Sequence, residues 1–278
     1  MSPVQEFIAD PFQTRRIPLT MAKLAVNLTM LFTEYPFLQR FDRAAEAGFR
    51  AVEFMFPYDE AAGDVSDAIE RNNLELVLFN LPAGDWAAGD RGTAAQPSRQ
   101  DEFKAGVTTA LEYAVALRPP MINCLAGKTG PESNTAEVLV ENVRFAADSL
   151  RATGTKLLVE PVNSHDVPEF ALPSTQSALD LISSIERENV GLQFDIYHAM
   201  RMGEDAIGFV QAHGAEISHI QIADVPGRHQ PGTGDIDFAV LFDVIDGSGY
   251  TGWISLEYIP QGPTEEGFGP IRDMGLLG

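Results

Sequence analysis

The sequence predicts an α/β fold in which eight parallel strands, alternating with helices, close into a single (β/α)8 barrel. Eight short apolar runs alternate along the chain with segments whose apolar residues recur at helical spacing. Several of the runs are apolar almost throughout, as is typical of parallel strands that are covered on both faces. No linker-like stretch or charge run divides the 278 residues, a length at which such a barrel forms one domain.

Turn and cap residues separate the predicted elements. Gly48, Gly154 and Gly249 each end a helical segment, and Pro119–Pro120 stops another one. The predicted strands span residues 23–28, 49–54, 74–79, 121–125, 156–159, 190–194, 217–222 and 253–256. The predicted helices span residues 36–47, 64–72, 99–117, 135–153, 175–189, 205–213 and 238–248. An open, doubly wound sheet is the alternative, but no predicted strand is followed by a glycine-rich phosphate loop.

The two ends of the chain depart from the barrel pattern. Residues 1–20 contain Pro3, Pro11 and Pro18 and predict an N-terminal arm, so that the barrel domain is expected over residues 21–278. The segment after Pro260 is too short for a full eighth helix, which predicts a truncated last helix. Because an arm and a missing helix leave apolar barrel surface that a partner subunit could cover, a homo-oligomer is an expectation.

Composition excludes several classes of partner. The net charge of −21 and the pI near 4.4 give a surface that repels phosphate backbones, so we expect no nucleic-acid partner. No apolar run approaches the roughly 20 residues of a membrane helix, and the start of the chain lacks the order of a signal peptide. The single cysteine, Cys124, fits a reducing compartment. These features predict a cytoplasmic protein without a membrane partner.

Four polar residues recur at the downstream ends of four predicted strands. They are Glu160, Asp195, Gln221 and Glu257, at spacings of 35, 26 and 36 residues, which fit the roughly 30 or more residues of a strand–helix unit. The carboxyl ends of barrel strands form one rim, where the chemistry of this fold takes place. Three carboxylates that meet there repel one another unless a cation lies between them. Since oxygen ligands suit Mg²⁺ or Mn²⁺ better than Zn²⁺ or copper, the four residues predict a hard divalent metal site.

Further polar residues follow the same strands, and each has a structural alternative. Glu53 and Asn80 follow the second and third strands. Glu53 could be a metal ligand, but a substrate contact or a structural ion pair at the rim is favoured. Lys128 follows the fourth strand and either orients an anionic substrate or caps a loop. His198, three residues after Asp195, is a candidate for contacting the substrate or for supporting the metal ligands.

The oxygen-rich ligand set predicts isomerase chemistry. A divalent metal can chelate an α-hydroxycarbonyl compound through both oxygens, polarise the carbonyl and stabilise the enediolate that forms when a proton is lost. Glu160 and Glu257, on either side of the substrate, could take a proton from one carbon and return one to its neighbour. Return to the neighbouring carbon interconverts an aldose and a ketose, whereas return to the same carbon on its other face gives epimerisation.

Long motifs give the chain a resemblance to a known family. The segments FRAVEFMFPYD, NLPAGDWAAGDRG, INCLAGKTG, VEPVN, QFDIYHAMRM, HIQIADVPGRHQPGTG and LEYIPQ lie within residues 22–262. Over this range the chain resembles the hydroxypyruvate isomerases, within the xylose-isomerase-like TIM barrels. The resemblance implies a metal-dependent isomerase that interconverts hydroxypyruvate and 2-hydroxy-3-oxopropanoate (tartronate semialdehyde).

The resemblance also implies roles for individual residues. Glu160 and Glu257 are the expected acid–base pair, and His198 and Arg228 are expected to contact the substrate, as the matching positions do in related ketose epimerases. Those epimerases carry a histidine at the position of Gln221, which favours the isomerase. The predicted metal ligands are Glu160, Asp195, Gln221 and Glu257, and the predicted substrate-binding residues are His198, Arg228, Lys128, Glu53 and Asn80.

One motif departs from the family pattern and leaves the substrate open. Family members often read EYKP at the last strand, whereas this chain reads EYIP with Ile259. If that lysine helps to bind the substrate carboxylate, this chain either has a lower affinity for anions or acts on a different substrate. The alternatives are 2-oxo-tetronate isomerisation or ketose 3-epimerisation on the same barrel. A DNA endonuclease on a related barrel needs clustered zinc-binding histidines and a basic surface, and this chain has five histidines and a net charge of −21.

Overall fold

Strands and helices follow one another as βα units. The computed structural model describes residues 22–130 and 132–277, so the predicted arm over residues 1–20 lies outside the described residues. The strands are β1 (Lys23–Asn27), β2 (Ala51–Glu53), β3 (Glu75–Leu76), β4 (Leu78–Asn80), β5 (Met121–Cys124), β6 (Lys156–Val159), β7 (Val190–Asp195), β8 (His219–Ile222) and β9 (Trp253–Leu256). The helices are α1 (Phe37–Glu46), α2 (Ala62–Arg71), α3 (Gln100–Leu117), α4 (Thr135–Leu150), α5 (Thr175–Ile185), α6 (Ile196–Arg201), α7 (Ala206–His213), α8 (Phe238–Gly247) and α9 (Gly269–Asp273). None of the helices in these two ranges is long and apolar enough to cross a membrane.

The nine described strands are parallel and form one nearly closed barrel. They lie in the order β3-β2-β1-β9-β8-β7-β6-β5-β4, and only Val77 separates β3 from β4 along the chain. The N–H of Val77 donates to the Val52 carbonyl at 2.9 Å, and the N–H of Asn80 donates to the Met55 carbonyl at 2.8 Å. Because β3 pairs with β2 and β4 pairs with β5, the two pieces fill one position in an eight-position barrel. The predicted (β/α)8 TIM barrel, as a single domain, is confirmed.

The barrel interior becomes polar toward the carboxyl ends of the strands. Val26 of β1 belongs to the large apolar cluster that includes buried side chains of both strands and helices. Its neighbour Ala25 packs with Ala51 and Val77 in a separate small cluster. Since successive side chains of a strand point to opposite faces, the next position on the side of Ala25 is Asn27. The interior therefore changes from small apolar side chains to polar ones toward the strand ends, where the site is built.

Two segments differ from a plain βα repeat. The short helix α6, which the sequence pattern does not predict, begins directly after β7, and the Asp195 carboxylate accepts the Tyr197 N–H at its start. The last helix, α9, has five residues, in agreement with the predicted truncated helix. Phe268, just before α9, packs against Phe32 and Phe49 with ring centroids 5.7 and 5.1 Å apart. The C-terminal tail therefore covers apolar surface of the barrel, and the homo-oligomer stays a prediction.

Candidate active site

The four strand-end residues predicted from the sequence lie on one rim of the barrel. Glu160 directly follows β6, Asp195 ends β7, Gln221 lies in β8 and Glu257 directly follows β9. Asp195 and Gln221 are opposite each other in the register of their two strands. All four side chains are buried, and Glu160 and Glu257 line a cavity of about 480 Å³.

Burial and mutual repulsion favour the protonated forms of these carboxyl groups. Burial, reinforced by the Asp195 charge, raises the pKa of Glu160 to about 8. Burial raises the pKa of Asp195 to about 6, although the Arg228 cation opposes the rise. Burial also raises the pKa of Glu257 well above its ordinary value, against the opposing effect of Arg228. The three carboxylates therefore have too little positive charge near them to be fully ionised together.

Arg228 is the cation that lies between the carboxylates. Its Nη2 donates to Glu257 Oε2 at 2.8 Å and to Asp195 Oδ2 at 3.3 Å. The guanidinium carbon lies 5.1 Å from the centroid of the Tyr197 ring. Burial alone would lower the pKa of Arg228, but the charges of Glu257 and Asp195 outweigh burial and raise it. One guanidinium thus compensates part of the negative charge at the rim.

Glu53 is a buried, ionised carboxylate that organises the polar interior. His219 Nε2 lies 2.7 Å from one of its oxygens, and Gln221 Nε2 and Asn27 Nδ2 donate to the other at 2.7 and 2.9 Å. Burial would raise the pKa of Glu53, but the nearby His219 and these hydrogen bonds lower it. Asn27 Nδ2 also donates to Glu257 Oε1 at 2.9 Å. The Glu53 network therefore orients Gln221 and reaches Glu257.

Hydrogen bonds determine which ring nitrogen of His198 faces the carboxylates. Asn163 Nδ2 lies 2.6 Å from His198 Nδ1, and Asn163 N donates to the same atom at 3.4 Å. The Asn163 amide is itself oriented, because its Oδ1 accepts the N–H groups of His165 and Asp166. Nδ1 is therefore an acceptor, and the proton lies on Nε2, which is 3.5 Å from Asp195 Oδ2. Burial lowers the pKa of His198 well below its ordinary value, so the ring is neutral.

A candidate metal site lies at this rim. Ligand atoms of Glu160, Asp195 and His198 all lie within 4.8 Å of one another. Because His198 presents an N–H group to this space, its ring suits a hydrogen bond to an oxygen better than a bond to a metal. The amide oxygen of Gln221 accepts a hydrogen bond from Gln193 Nε2 at 2.6 Å and has a second lone pair. The donors available to a cation are therefore mainly oxygens.

The remaining predicted substrate-binding residues divide between the cavity and its surroundings. Asn80, His198 and Arg228 line the cavity together with Glu160 and Glu257. The Glu53 side chain is completely buried below the rim, and the structure does not bring it to the cavity wall. Lys128 also lies outside the cavity lining, in a loop that forms a β-bridge with Phe170.

Three residues of the site were not predicted from the sequence. Asn123 Nδ2 donates to Glu160 Oε2 at 2.8 Å, Asn163 orients His198, and Arg91 lines the cavity. The position of Asn123 on the strand beside β6 was an available signal, since polar side chains at neighbouring strand ends meet. No local pattern indicates the roles of Asn163 and Arg91, which lie in loops.

Comparison with known proteins places the chain in a family. The profile of the xylose isomerase-like TIM barrel family matches residues 41–274. The chain belongs to this family. Hydroxypyruvate isomerase of Escherichia coli is 47% identical over 250 residues, which cover 89% of this chain and 97% of that protein. The 2-oxo-tetronate isomerase of Cupriavidus necator is 40% identical over 255 residues, which cover 91% of this chain and 98% of that protein.

Solved structures agree with the fold. A crystal structure from Brucella melitensis, described as an AP endonuclease of family 2, has 42% identity and a TM-score of 0.87, and covers 91% of this chain and 99% of that chain. The 3-keto-D-glucoside 4-epimerase of Escherichia coli, with 20% identity and a TM-score of 0.74, shares the fold alone. This chain is an isomerase similar to the hydroxypyruvate isomerases.

Asp224 holds the loop of this isomerase that carries Arg228. Backbone hydrogen bonds of 2.9 Å join the N–H of Asp224 to the His229 carbonyl and the N–H of Arg228 to the Asp224 carbonyl. Arg228 has a φ of +56°, a left-handed conformation that a non-glycine residue rarely adopts. The Asp224 carboxylate accepts five backbone N–H groups at 2.8–3.1 Å, from Val225, Gly232, Thr233, Gly234 and Ile236. Asp224 therefore positions Arg228 from outside the cavity.

Asp224→Ala is expected to lower the free energy of unfolding by about 2–3 kcal/mol, because five backbone N–H groups lose a buried, charged acceptor. Turnover should fall as well, since the loop no longer holds Arg228 in place. Urea unfolding and steady-state kinetics measure the two effects. Asp235→Ala removes an exposed carboxylate from the same loop and is the matched control. Equal unfolding free energies for the two variants would contradict the role assigned to Asp224.

The raised pKa of Glu160 predicts how stability depends on pH when divalent metal is removed by a chelator. This group titrates near pH 8 in the folded protein, against an ordinary value of 4.5. The folded state therefore binds more protons, so that stability decreases as the pH rises through this window, by up to about 1.4 kcal/mol per pH unit.

Glu160→Gln is expected to remove this contribution, so its stability relative to the wild-type protein should increase from about pH 5 to about pH 8. Urea unfolding across this range measures the difference. Glu188→Gln, at an exposed position before β7, should show no such trend. A stability difference for Glu160→Gln that does not change with pH would exclude the raised pKa.

Proposed function

We propose that this isomerase is a divalent-metal-dependent hydroxypyruvate isomerase, which interconverts hydroxypyruvate and 2-hydroxy-3-oxopropanoate through an enediolate. The observation that carries the proposal is the set of three buried carboxylates at the rim, Glu160, Asp195 and Glu257. The similarity to the Escherichia coli hydroxypyruvate isomerase supports the substrate. The proposal includes a cytoplasmic location and a small hydroxy-oxo acid as substrate. It includes no nucleic-acid or membrane partner, and a homo-oligomer remains an expectation.

The donor atoms at the rim suit Mg²⁺ or Mn²⁺. Glu160, Asp195 and Glu257 offer carboxylate oxygens, and Gln221 offers an amide oxygen with a free lone pair. Hard divalent cations prefer oxygen ligands, and Arg228 alone leaves the carboxylates incompletely compensated. When bound there, the cation would act as a Lewis acid toward the carbonyl of the substrate.

Glu160 and Glu257 are the proposed proton carriers. Both line the cavity, one after β6 and one after β9, so a substrate between them contacts both. One carboxylate takes a proton from C3 of hydroxypyruvate, and a proton is delivered to C2, while the hydroxyl proton moves from O3 to O2. His198 Nε2–H and the Arg228 guanidinium donate to substrate oxygens and hold the negative charge of the enediolate.

A second candidate function, 2-oxo-tetronate isomerisation, is favoured by the size of the cavity. Its volume of about 480 Å³ and its apolar wall, which includes Val162, Phe170 and Ile259, leave room beyond a three-carbon acid. The relative from Cupriavidus necator carries that name. A ketose 3-epimerase has weaker support, because the solved epimerases share the fold alone.

Proton NMR in D₂O with the Mg²⁺-loaded protein tests the proposal. Hydroxypyruvate should lose its C3 proton signal as deuterium enters, and 2-hydroxy-3-oxopropanoate with deuterium at C2 should appear. A higher kcat/KM for 2-oxo-tetronate, measured in the same way, would favour the second candidate. If neither acid exchanges a carbon-bound proton, the isomerase assignment is wrong for both substrates.

A further inference from the structure

Two arginines, Arg91 and Arg228, line the cavity. Arg91 lies in the segment between β4 and α3, and Arg228 lies between β8 and α8. With β3 and β4 counted as one position, β4 and β8 are four positions apart in a barrel of eight. The two guanidinium groups therefore approach the cavity from opposite sides.

The two arginines differ in their partners. Arg228 donates to two carboxylates of the rim. Arg91 forms no ion pair with any residue in ranges 22–130 and 132–277, and its Nη1 donates to the backbone carbonyls of Trp86 and Asp90 at 3.2 and 2.6 Å. Within those ranges its Nε and Nη2 have no hydrogen-bond partner. Arg91 thus brings to the cavity a positive charge that has no ion-pair partner among the described residues, together with unused N–H donors.

Aromatic stacking fixes the plane of the Arg91 guanidinium. Its central carbon lies 3.8 Å from the centroid of the Trp86 ring, and Trp86 packs against Phe56 with a centroid distance of 5.1 Å. Stacking holds the face of a guanidinium and leaves the N–H groups at its edge available. A planar fork of N–H donors matches the two oxygens of a carboxylate.

The loop that carries Arg91 is held in one conformation by its own contacts. The Asp90 carboxylate accepts the Asp85 N–H at 2.7 Å and pairs with Arg99 Nη2 at 2.8 Å. Gly92 follows with a φ of +112°, and a Cβ at this position would overlap the backbone of the loop after β5. Because both sides of Arg91 are anchored, its guanidinium is already placed before a ligand binds.

We propose that Arg91 binds the carboxylate of the substrate and makes the site selective for anionic hydroxy-oxo acids over neutral ketoses. The inference rests on the proposed isomerase function and names the residue that recognises the charged end of the substrate. Arg228 and His198 donate to the substrate oxygens at the reacting carbons. Arg91 binds the carboxylate of the substrate from the opposite side of the cavity. Ile259, which also lines the cavity, has an uncharged side chain.

The test measures binding without turnover. The chain has two tryptophans, and Trp253 lies at the amino end of β9, so a Trp253→Phe background leaves Trp86 as the reporter beside Arg91. The probes are D-glycerate, which has a carboxylate, and glycerol, which has a hydroxymethyl group in its place. Titration of the Mg²⁺-loaded full chain is followed by Trp86 fluorescence and by calorimetry.

D-glycerate is expected to bind saturably, and Arg91→Gln should raise its Kd by about tenfold to a hundredfold, the range for a lost charge-assisted hydrogen bond. The Kd of Arg91→Lys for D-glycerate should lie between those of the wild-type protein and Arg91→Gln, because lysine keeps the charge but lacks the planar fork of N–H donors. Arg50→Gln removes an exposed arginine before β2 and should leave the Kd unchanged. Glycerol binding should not differ among the variants. With hydroxypyruvate, Arg91→Gln should raise KM more than it lowers kcat.

Three outcomes would overturn the proposal: no saturable D-glycerate binding to the protein with Arg91 intact, an unchanged Kd in Arg91→Gln, or an equal loss of glycerol binding. Circular dichroism of both Arg91 variants distinguishes misfolding from lost recognition. If D-glycerate binds through Arg91 but no acid exchanges its proton, recognition stands and the isomerase function fails. If exchange occurs and Arg91→Gln binds normally, the isomerase stands and this inference fails.

Discussion

Glu160→Gln and Glu257→Gln are each expected to lower the turnover of hydroxypyruvate by about 10²–10⁴-fold, the usual contribution of a general acid or base. Glutamine has nearly the same shape as glutamate but carries no titratable proton. Since the pKa values of both groups are raised in the folded protein, loss of either charge should not impair folding. Initial rates and deuterium incorporation by NMR measure the effect.

Glu188→Gln is the matched control for both variants, because it makes the same change at an exposed position before β7. Its turnover should equal that of the wild-type protein. Circular dichroism should show that all three variants are folded. Near-normal turnover in either Glu160→Gln or Glu257→Gln would disprove the assignment of these two residues as proton carriers.

Removal of divalent metal is the second change with a large expected effect. Loss of a Lewis acid that supplies several kcal/mol of transition-state stabilisation should lower turnover by about a thousandfold. Added Mg²⁺ or Mn²⁺ should restore it. Since a ligand that binds only the folded state stabilises it, metal at a hundred times its Kd should raise the free energy of unfolding by about 2.7 kcal/mol.

Asp195→Asn should weaken this metal-dependent stabilisation, because it removes a charged oxygen from the proposed ligand set. Asp235→Asn, an exposed change in the loop after β8, should leave it intact. Metal content is verified by atomic absorption before each assay. If the chelator-treated, metal-free protein turns over hydroxypyruvate as fast as before, the proposed metal dependence is wrong.

The barrel could be predicted because its signals are local. Apolar runs and helical spacing are properties of short segments, and they place the strand ends close to where the structure has them. The break at Val77 is not visible in the sequence of residues 74–79, which reads as one strand, since it arises where the pairing changes from β2 to β5. Helix α6 has six residues, which are too few for a periodic pattern.

The part of the candidate site that lies at the strand ends could be predicted, because the order of the strands alone brings those residues together. Glu160, Asp195, Gln221 and Glu257 meet because the fold brings consecutive strand ends together. The partners of these residues depend on contacts between distant segments, such as Asn27 with Glu257, 230 residues apart. The sequence predicts Lys128 as a candidate cation for an anionic substrate, but the path of each loop decides which cations reach the cavity, and Arg91 and Arg228 line it instead.

The loops after β4 and β5 cross at Gly92 and Gly127, and the backbone of each occupies the space that a side chain of the other would need. Both glycines have positive φ values, +112° and +87°, so an L-residue at either position would be strained as well as crowded. The two loops therefore form one unit for protein engineering. A chimera that transplants one of them from a relative, to change substrate preference, must transplant the other with it.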